Sequence, residues 1–123
     1  MATKTILFIE DEQALQDSMA EMLKSEGYEM LAALDGEAGL KVAQDKHPDL
    51  ILLDLILPKK DGFKVLQELK TDSRLKNVPI IVLTNLEGVG DVEKALALGA
   101  STYLVKANYS LEEVVNKIKE ALA

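Results

Sequence analysis

Five short apolar runs, each followed by a segment with helical spacing, constrain this chain more than any other feature. The runs are Ile6-Leu7-Phe8-Ile9, Met30-Leu31-Ala32-Ala33-Leu34, Leu50-Ile51-Leu52-Leu53, Ile80-Ile81-Val82-Leu83 and Tyr103-Leu104-Val105. Their hydrophobicity is continuous rather than alternating, which predicts strands covered on both faces. Helical stripes between them are clearest at Leu15, Met19, Met22 and Leu23, and at Leu111, Val114, Val115, Ile118 and Leu122. The methionines of the first stripe are read as packing residues. Strand then helix, repeated five times, predicts an α/β fold with a parallel sheet and helices on both faces, because crossovers between parallel strands are almost always right-handed.

Punctuation agrees with this division. Gly27 and Gly99 are placed to stop the first and fourth helices, Asp35 to cap the second, and Asp61-Gly62 to open the third. Ser110 with Glu113 forms a capping box for the fifth. The second helix is expected from about Gly36 to Lys46 and the fourth from about Asp91 to Leu98. No Pro/Gly/Ser-rich linker interrupts the series, so residues 1–123 read as a single domain, long enough to build a core without a metal or disulfide staple.

Charge narrows the functions. Lys and Arg number 14 against 21 Asp and Glu, a net charge of -7, and there is no basic run or aromatic platform for phosphates and bases. Direct nucleic-acid binding is disfavoured, as is an anionic membrane surface. The absence of cysteine excludes disulfides, thiolate catalysis and zinc ribbons. The first apolar run is too short for a signal peptide before Glu10 and Asp11 interrupt it, and no run reaches transmembrane length, so a cytoplasmic location is expected. His47, followed by Pro48 and without a Cys or His neighbour, is not expected to bind metal.

In open parallel sheets the site lies at the carboxyl ends of the strands. There the first run gives way to Glu10-Asp11, the third to Asp54, the fourth to Thr84 and the fifth to Lys106. Taken singly, the acids could be helix caps, Thr84 a local backbone partner and Lys106 a solvated amine. Together, three acids, one hydroxyl and one amine at one edge point to chemistry. Clustered carboxylates repel, and a divalent cation relieves the conflict. Hard oxygen donors favour Mg2+, with Asp11 and Asp54 as preferred side-chain ligands and Glu10 acting directly or through water. An ionised Asp54 beside such a cation can attack phosphorus while Lys106 neutralises charge and Thr84 donates a hydrogen bond.

These residues, in this order, resemble a response-regulator receiver domain, the phosphoacceptor half of two-component signalling, in its stand-alone, chemotaxis-regulator-like form. The resemblance spans essentially the whole chain. It rests on Ile9-Glu10-Asp11, on Asp54 with Leu57-Pro58 and Asp61-Gly62, on Pro79 to Thr84, and on Gly99-Ala100 followed by Tyr103-Leu104-Val105-Lys106. It implies a flavodoxin-like doubly wound sheet of five parallel strands in the order 2-1-3-4-5, flanked by five helices. It also implies Asp54 as phosphoacceptor, Glu10 and Asp11 as the acidic pair for Mg2+, the main-chain carbonyl of Ile56 as a further ligand, Thr84 as switch hydroxyl, Lys106 as phosphate-binding lysine and Tyr103 as switch aromatic. A histidine kinase or phosphotransfer protein would be the donor. With no effector domain after Leu122-Ala123, a downstream output protein would read the result; a phosphorylation-linked homodimer through the fourth helix, fifth strand and fifth helix is a further implication.

The chain departs from the family pattern in three respects. Ala107 stands where proline usually follows the lysine, so the Lys106-Ala107 peptide is expected to be trans. Asn85 replaces a small residue after Thr84 and could narrow access to Asp54 or donate to a phosphoryl oxygen. Ile56 and Leu86 are apolar where polar residues can orient water, which predicts slow loss of the phosphoryl group.

Three competing functions are weaker. An aspartate-nucleophile phosphatase would want a second acid two residues after Asp54, where Ile56 stands. A nucleotide or flavin module would want a glycine-rich phosphate cradle where the chain has Glu10-Asp11-Glu12. A phosphorylation-independent interaction module would have no use for Asp54, Thr84 and Lys106 together.

Overall fold

A computed structural model describes residues 3–123. Met1 and Ala2, with which the expectation about the N-terminal segment begins, lie outside the described residues. Strands β1 (Thr5–Ile9), β2 (Glu29–Ala33), β3 (Leu50–Leu53), β4 (Ile80–Thr84) and β5 (Thr102–Val105) alternate with helices α1 (Gln13–Ser25), α2 (Gly36–Lys46), α3 (Gly62–Thr71), α4 (Val89–Ala97) and α5 (Leu111–Leu122). All strands pair in parallel in the order β2-β1-β3-β4-β5. This is the flavodoxin-like α/β arrangement, with the fold reversing direction at β1 and β3.

Continuous apolar sequence produces continuous burial in the three inner strands. Leu50–Leu53 and Ile80–Thr84 are buried throughout, as is β1 after Thr5. Residues of alternate parity face opposite layers. Leu7, Ile9, Ile51, Leu53 and Val82 pack with α2 and α3, whereas Ile6, Phe8, Leu50, Leu52, Ile81 and Leu83 pack with α1 and α5. Met19 and Leu23 of α1 are buried among the latter, as are Val114, Val115 and Ile118 of α5.

The edge strands depart from the expectation of two covered faces. In β2 only Ala33 is fully buried, and Leu34, counted in the second apolar run, lies beyond the strand and is 44% exposed. An edge strand has a neighbour on one side only, so its flanking helices do not close over it.

Helix ends follow the punctuation except at α4. Asp35 Oδ1 accepts from the Ala38 N–H at 2.8 Å, Asp61 Oδ1 from the Phe63 N–H at 2.7 Å, and Ser110 with Glu113 forms the reciprocal capping box. Gly27 and Gly99 take positive φ angles of 86° and 110° after α1 and α4. His47 closes α2 in the left-handed region. Helix α4 begins two residues earlier than expected, at Val89, because Gly88 caps it through the backbone alone and supplies no side-chain signal. Only Ala95 of this helix is buried. Helix α1 likewise has no side-chain cap. Among the described residues no helix is long and apolar enough to cross a membrane.

Candidate functional site

Parallel register brings the residues that follow the strands to one edge. Ile9 pairs with Leu53, so Glu10 and Asp54 leave the sheet side by side, and the Asp54 N–H donates to the Ile9 carbonyl at 3.0 Å. Thr84 pairs with Val105, which places the hydroxyl next to the strand end that delivers Lys106. Glu10 is 1% exposed and Asp54 4%, Thr84 is fully buried, Lys106 is half-buried and Asp11 is exposed.

Lys106 joins the two buried acids. Its Nζ donates to Asp54 Oδ2 at 2.9 Å and lies 2.6 Å from Glu10 Oε1. The Glu10 contact is ionic in distance but lies off the direction a hydrogen bond needs, so Glu10 Oε1 is a buried oxygen without a directed partner. The other oxygens are held by main chain. The Ile56 N–H donates to Asp54 Oδ1, and the Glu12 N–H donates to Glu10 Oε2, each at 3.1 Å.

The electrostatics follow from one cation shared between two carboxylates. Burial, with the nearby Asp54 charge adding to it, pushes the Glu10 carboxyl up to about 7 against the pull of Lys106. Burial works against the Lys106 ammonium, but its partners Glu10 and Asp54 outweigh that and hold it above the usual lysine value. Carboxylate oxygens of Glu10, Asp11 and Asp54 lie within 4.8 Å of one another. An all-oxygen donor set with one buried, undirected oxygen fits a hard divalent cation.

The remaining residues surround this centre. Thr84 Oγ1 accepts a long hydrogen bond of 3.5 Å from the Leu86 N–H, and half-buried Tyr103 donates to the Leu86 carbonyl at 2.7 Å. The Leu86 backbone is therefore the physical link between Thr84 and Tyr103. Ile56 is 53% exposed, an open apolar side chain beside Asp54. Asn85 is exposed and lines, with Lys106, Glu12 and Tyr109, a groove of about 310 Å³. No cis peptide occurs among the described residues, so the bond from Lys106 to Ala107 is trans as expected, and it opens a short 3-10 helix, Lys106–Asn108.

Two supporting roles, at Gly62 and at Gln16, escape the sequence reading. Gly62 starts α3 directly against the main chain of Asp54 and Leu55; a Cβ there would lie 2.3 Å from Leu55 Cα and 2.7 Å from the Asp54 carbonyl oxygen. The pair Asp61-Gly62 reads locally as a helix opening, and nothing in it reveals this approach. Gln16 is buried, although its residue type suggests solvent. Its position, three before Met19 and seven before Leu23, falls on the inner face of α1 and is the signal that could have found it.

The profile of the response regulator receiver domain family matches residues 6–119. This chain belongs to that family. A probable transcriptional regulator, ycf27, from Porphyridium aerugineum is 40% identical over 99% of this chain and 49% of its own length. The chain thus spans about half the length of the first curated relatives it matches. A CheY-like receiver domain protein from Methanospirillum hungatei superposes with a TM-score of 0.92 at 28% identity, covering 98% of this chain and 94% of that one. The Mn(2+)-bound form of response regulator Rcp1 superposes with a TM-score of 0.81 at 35% identity, covering 95% and 90%. As a receiver domain this chain carries a phosphoacceptor site that acts with a divalent metal.

Proposed function

We propose that residues 1–123 act as one receiver domain that takes a phosphoryl group onto Asp54 from a histidine kinase or phosphotransfer protein, with Mg2+, in the cytoplasm. The observation that carries this reading is Asp54 held 2.9 Å from Lys106 inside a cluster of three carboxylates. The similar structure of response regulator Rcp1 is a Mn(2+)-bound form, which supports a divalent cation as the partner of these acids.

Glu10, Asp11 and Asp54 would hold the ion, with the main-chain carbonyl of Ile56 as a further ligand. A bound Mg2+ supplies neutralisation of the acids and a polarising contact to phosphoryl oxygen. The chain's own residues do the rest. The Ile56 N–H orients the Asp54 carboxylate so that one oxygen attacks phosphorus as the bond to the donor nitrogen breaks. Lys106, cationic throughout the neutral range, offsets charge on the transferred oxygens, and Thr84 donates its hydroxyl hydrogen to one of them. Movement of Thr84 then disturbs its contact with Leu86 and, through that residue, Tyr103, which alters the surface of α4, β5 and α5 seen by an output protein or by a second copy of the chain.

Intact mass spectrometry after incubation with Mg2+ and acetyl phosphate tests the reading. One phosphoryl group should be gained, and the gain should vanish in Asp54→Ala and in chelator. Absence of the adduct in parent protein that binds the cation would shift the reading to a phosphorylation-independent interaction module.

A further inference from the structure

Gln16 does more than fill space. Its side chain is 1% exposed, and its Nε2 lies 2.9 Å from the Phe8 carbonyl oxygen, 3.1 Å from that of Glu10 and 3.1 Å from that of Ala33. The three carbonyls converge at the carboxyl ends of β1 and β2, where the chain leaves the sheet. Gln16 Oε1, by contrast, is buried without a partner. An orphaned buried amide oxygen is destabilising, so a position that needed only packing would be better filled by methionine.

What the amide holds is the segment that carries the acids. Helix α1 lacks a side-chain cap, so the Glu10–Glu12 turn has no anchor of that kind. Instead, the Glu10 N–H donates to the Ala33 carbonyl at 2.9 Å, the Glu10 carbonyl accepts from Gln16, and Glu10 Oε2 accepts from the Glu12 N–H. Both main-chain groups and one carboxylate oxygen of Glu10 are thereby fixed. Oε1 is left without a directed partner, facing Asp54 and Lys106.

We propose that Gln16 is a positioning residue for the cation-binding edge: its amide locks the main chain of Glu10 against β2 so that Glu10 and Asp11 are pre-aimed at the ion. The proposal rests on the phosphoacceptor reading above and adds to it a residue that touches neither ion nor phosphoryl group. Outer partners of metal ligands commonly change metal affinity about 10- to 100-fold when removed.

The test measures Mn2+ binding by electron paramagnetic resonance on folded parent, Gln16→Met and Val115→Ala, the last a core change in α5 outside the carboxylate cluster. Gln16→Met should weaken Mn2+ binding by about tenfold or more, while saturating Mg2+ restores phosphoryl incorporation to within about threefold of the parent. Val115→Ala should lose stability without losing affinity. A Gln16→Met affinity within about twofold of the parent, or an equal loss in Val115→Ala, overturns the proposal. A parent that binds no Mn2+ removes the phosphoacceptor reading and this inference with it, whereas a parent that binds, beside an unchanged variant, removes the inference alone. Should Gln16→Met fail to fold, exchange of the Gln16 side-chain amide hydrogens in the parent decides: by reciprocity of coupled equilibria Mg2+ must slow it, and an unaltered rate overturns the proposal.

Discussion

Tyr103 donates its phenol hydrogen to the carbonyl oxygen of Leu86 at 2.7 Å, across the turn that leads from β4 into α4. The same Leu86 offers its N–H to Thr84, so one residue's backbone answers to both side chains. Tyr103→Phe removes the phenol bond and keeps the ring. Unfolding free energy should fall by about 1 kcal/mol, and hydrogen exchange should quicken in the first turn of α4, both measurable without a phosphodonor.

Glu10 gives the site a pH signature. The folded chain keeps this carboxyl protonated up to about 7, whereas the unfolded chain releases the proton near 4.5. Folding therefore takes up a proton between those values. The Glu10 contribution to stability is full below 4.5 and is lost as pH rises through about 7. In chelator the change should be on the order of 2 kcal/mol, less than the whole shift implies because the cluster opens to solvent at Asp11. Urea titrations from pH 4.5 to 8 check this; added Mg2+ should flatten the decline, since the ion takes the place of the proton.

Asp54→Asn removes one of the two causes that raise Glu10. Nuclear magnetic resonance titration of the Glu10 side chain in that variant should show its midpoint drawn down from about 7 towards the ordinary carboxylate range, with burial alone still holding it above.

Gly62→Ala should be costly out of proportion to one methyl group. The new Cβ meets main-chain atoms of Asp54 and Leu55, which cannot rotate away as a side-chain tip would. A loss of about 1–3 kcal/mol is expected in thermal or urea unfolding, together with slower phosphoryl uptake because Asp54 is displaced.

Ile56 stands exposed beside Asp54 and offers water no hydrogen-bond partner. The aspartyl phosphate should accordingly persist, and Ile56→Asn should shorten its half-life by roughly tenfold through orientation of an attacking water. Decay of the phosphorylated mass after removal of acetyl phosphate measures it.

The inner strands and the acids after them are legible in the sequence because burial on both faces leaves uninterrupted apolar runs, and the residues that end those runs are forced to the sheet edge. Leu34 misleads for the converse reason: an apolar residue at the end of an edge strand meets no second layer. The roles that Gln16, Gly62 and Leu86 play in the folded chain are invisible in the sequence on different grounds. Gln16 hides a buried role behind a polar side chain, Gly62 serves a contact with residues 54 and 55 that only the folded chain creates, and Leu86 acts through backbone groups that every residue type possesses.

Firm attachment is unevenly distributed among the five helices. Three are tied at their first turns by Asp35, Asp61 and Ser110, whereas α4 starts on a bare glycine and sends a single alanine, Ala95, into the interior. The helix that follows Thr84 is thus the one with the fewest ties to the body of the fold. A charge placed on Asp54 would meet the least resistance there, so the fold carries a grain along which a small event at the sheet edge would run.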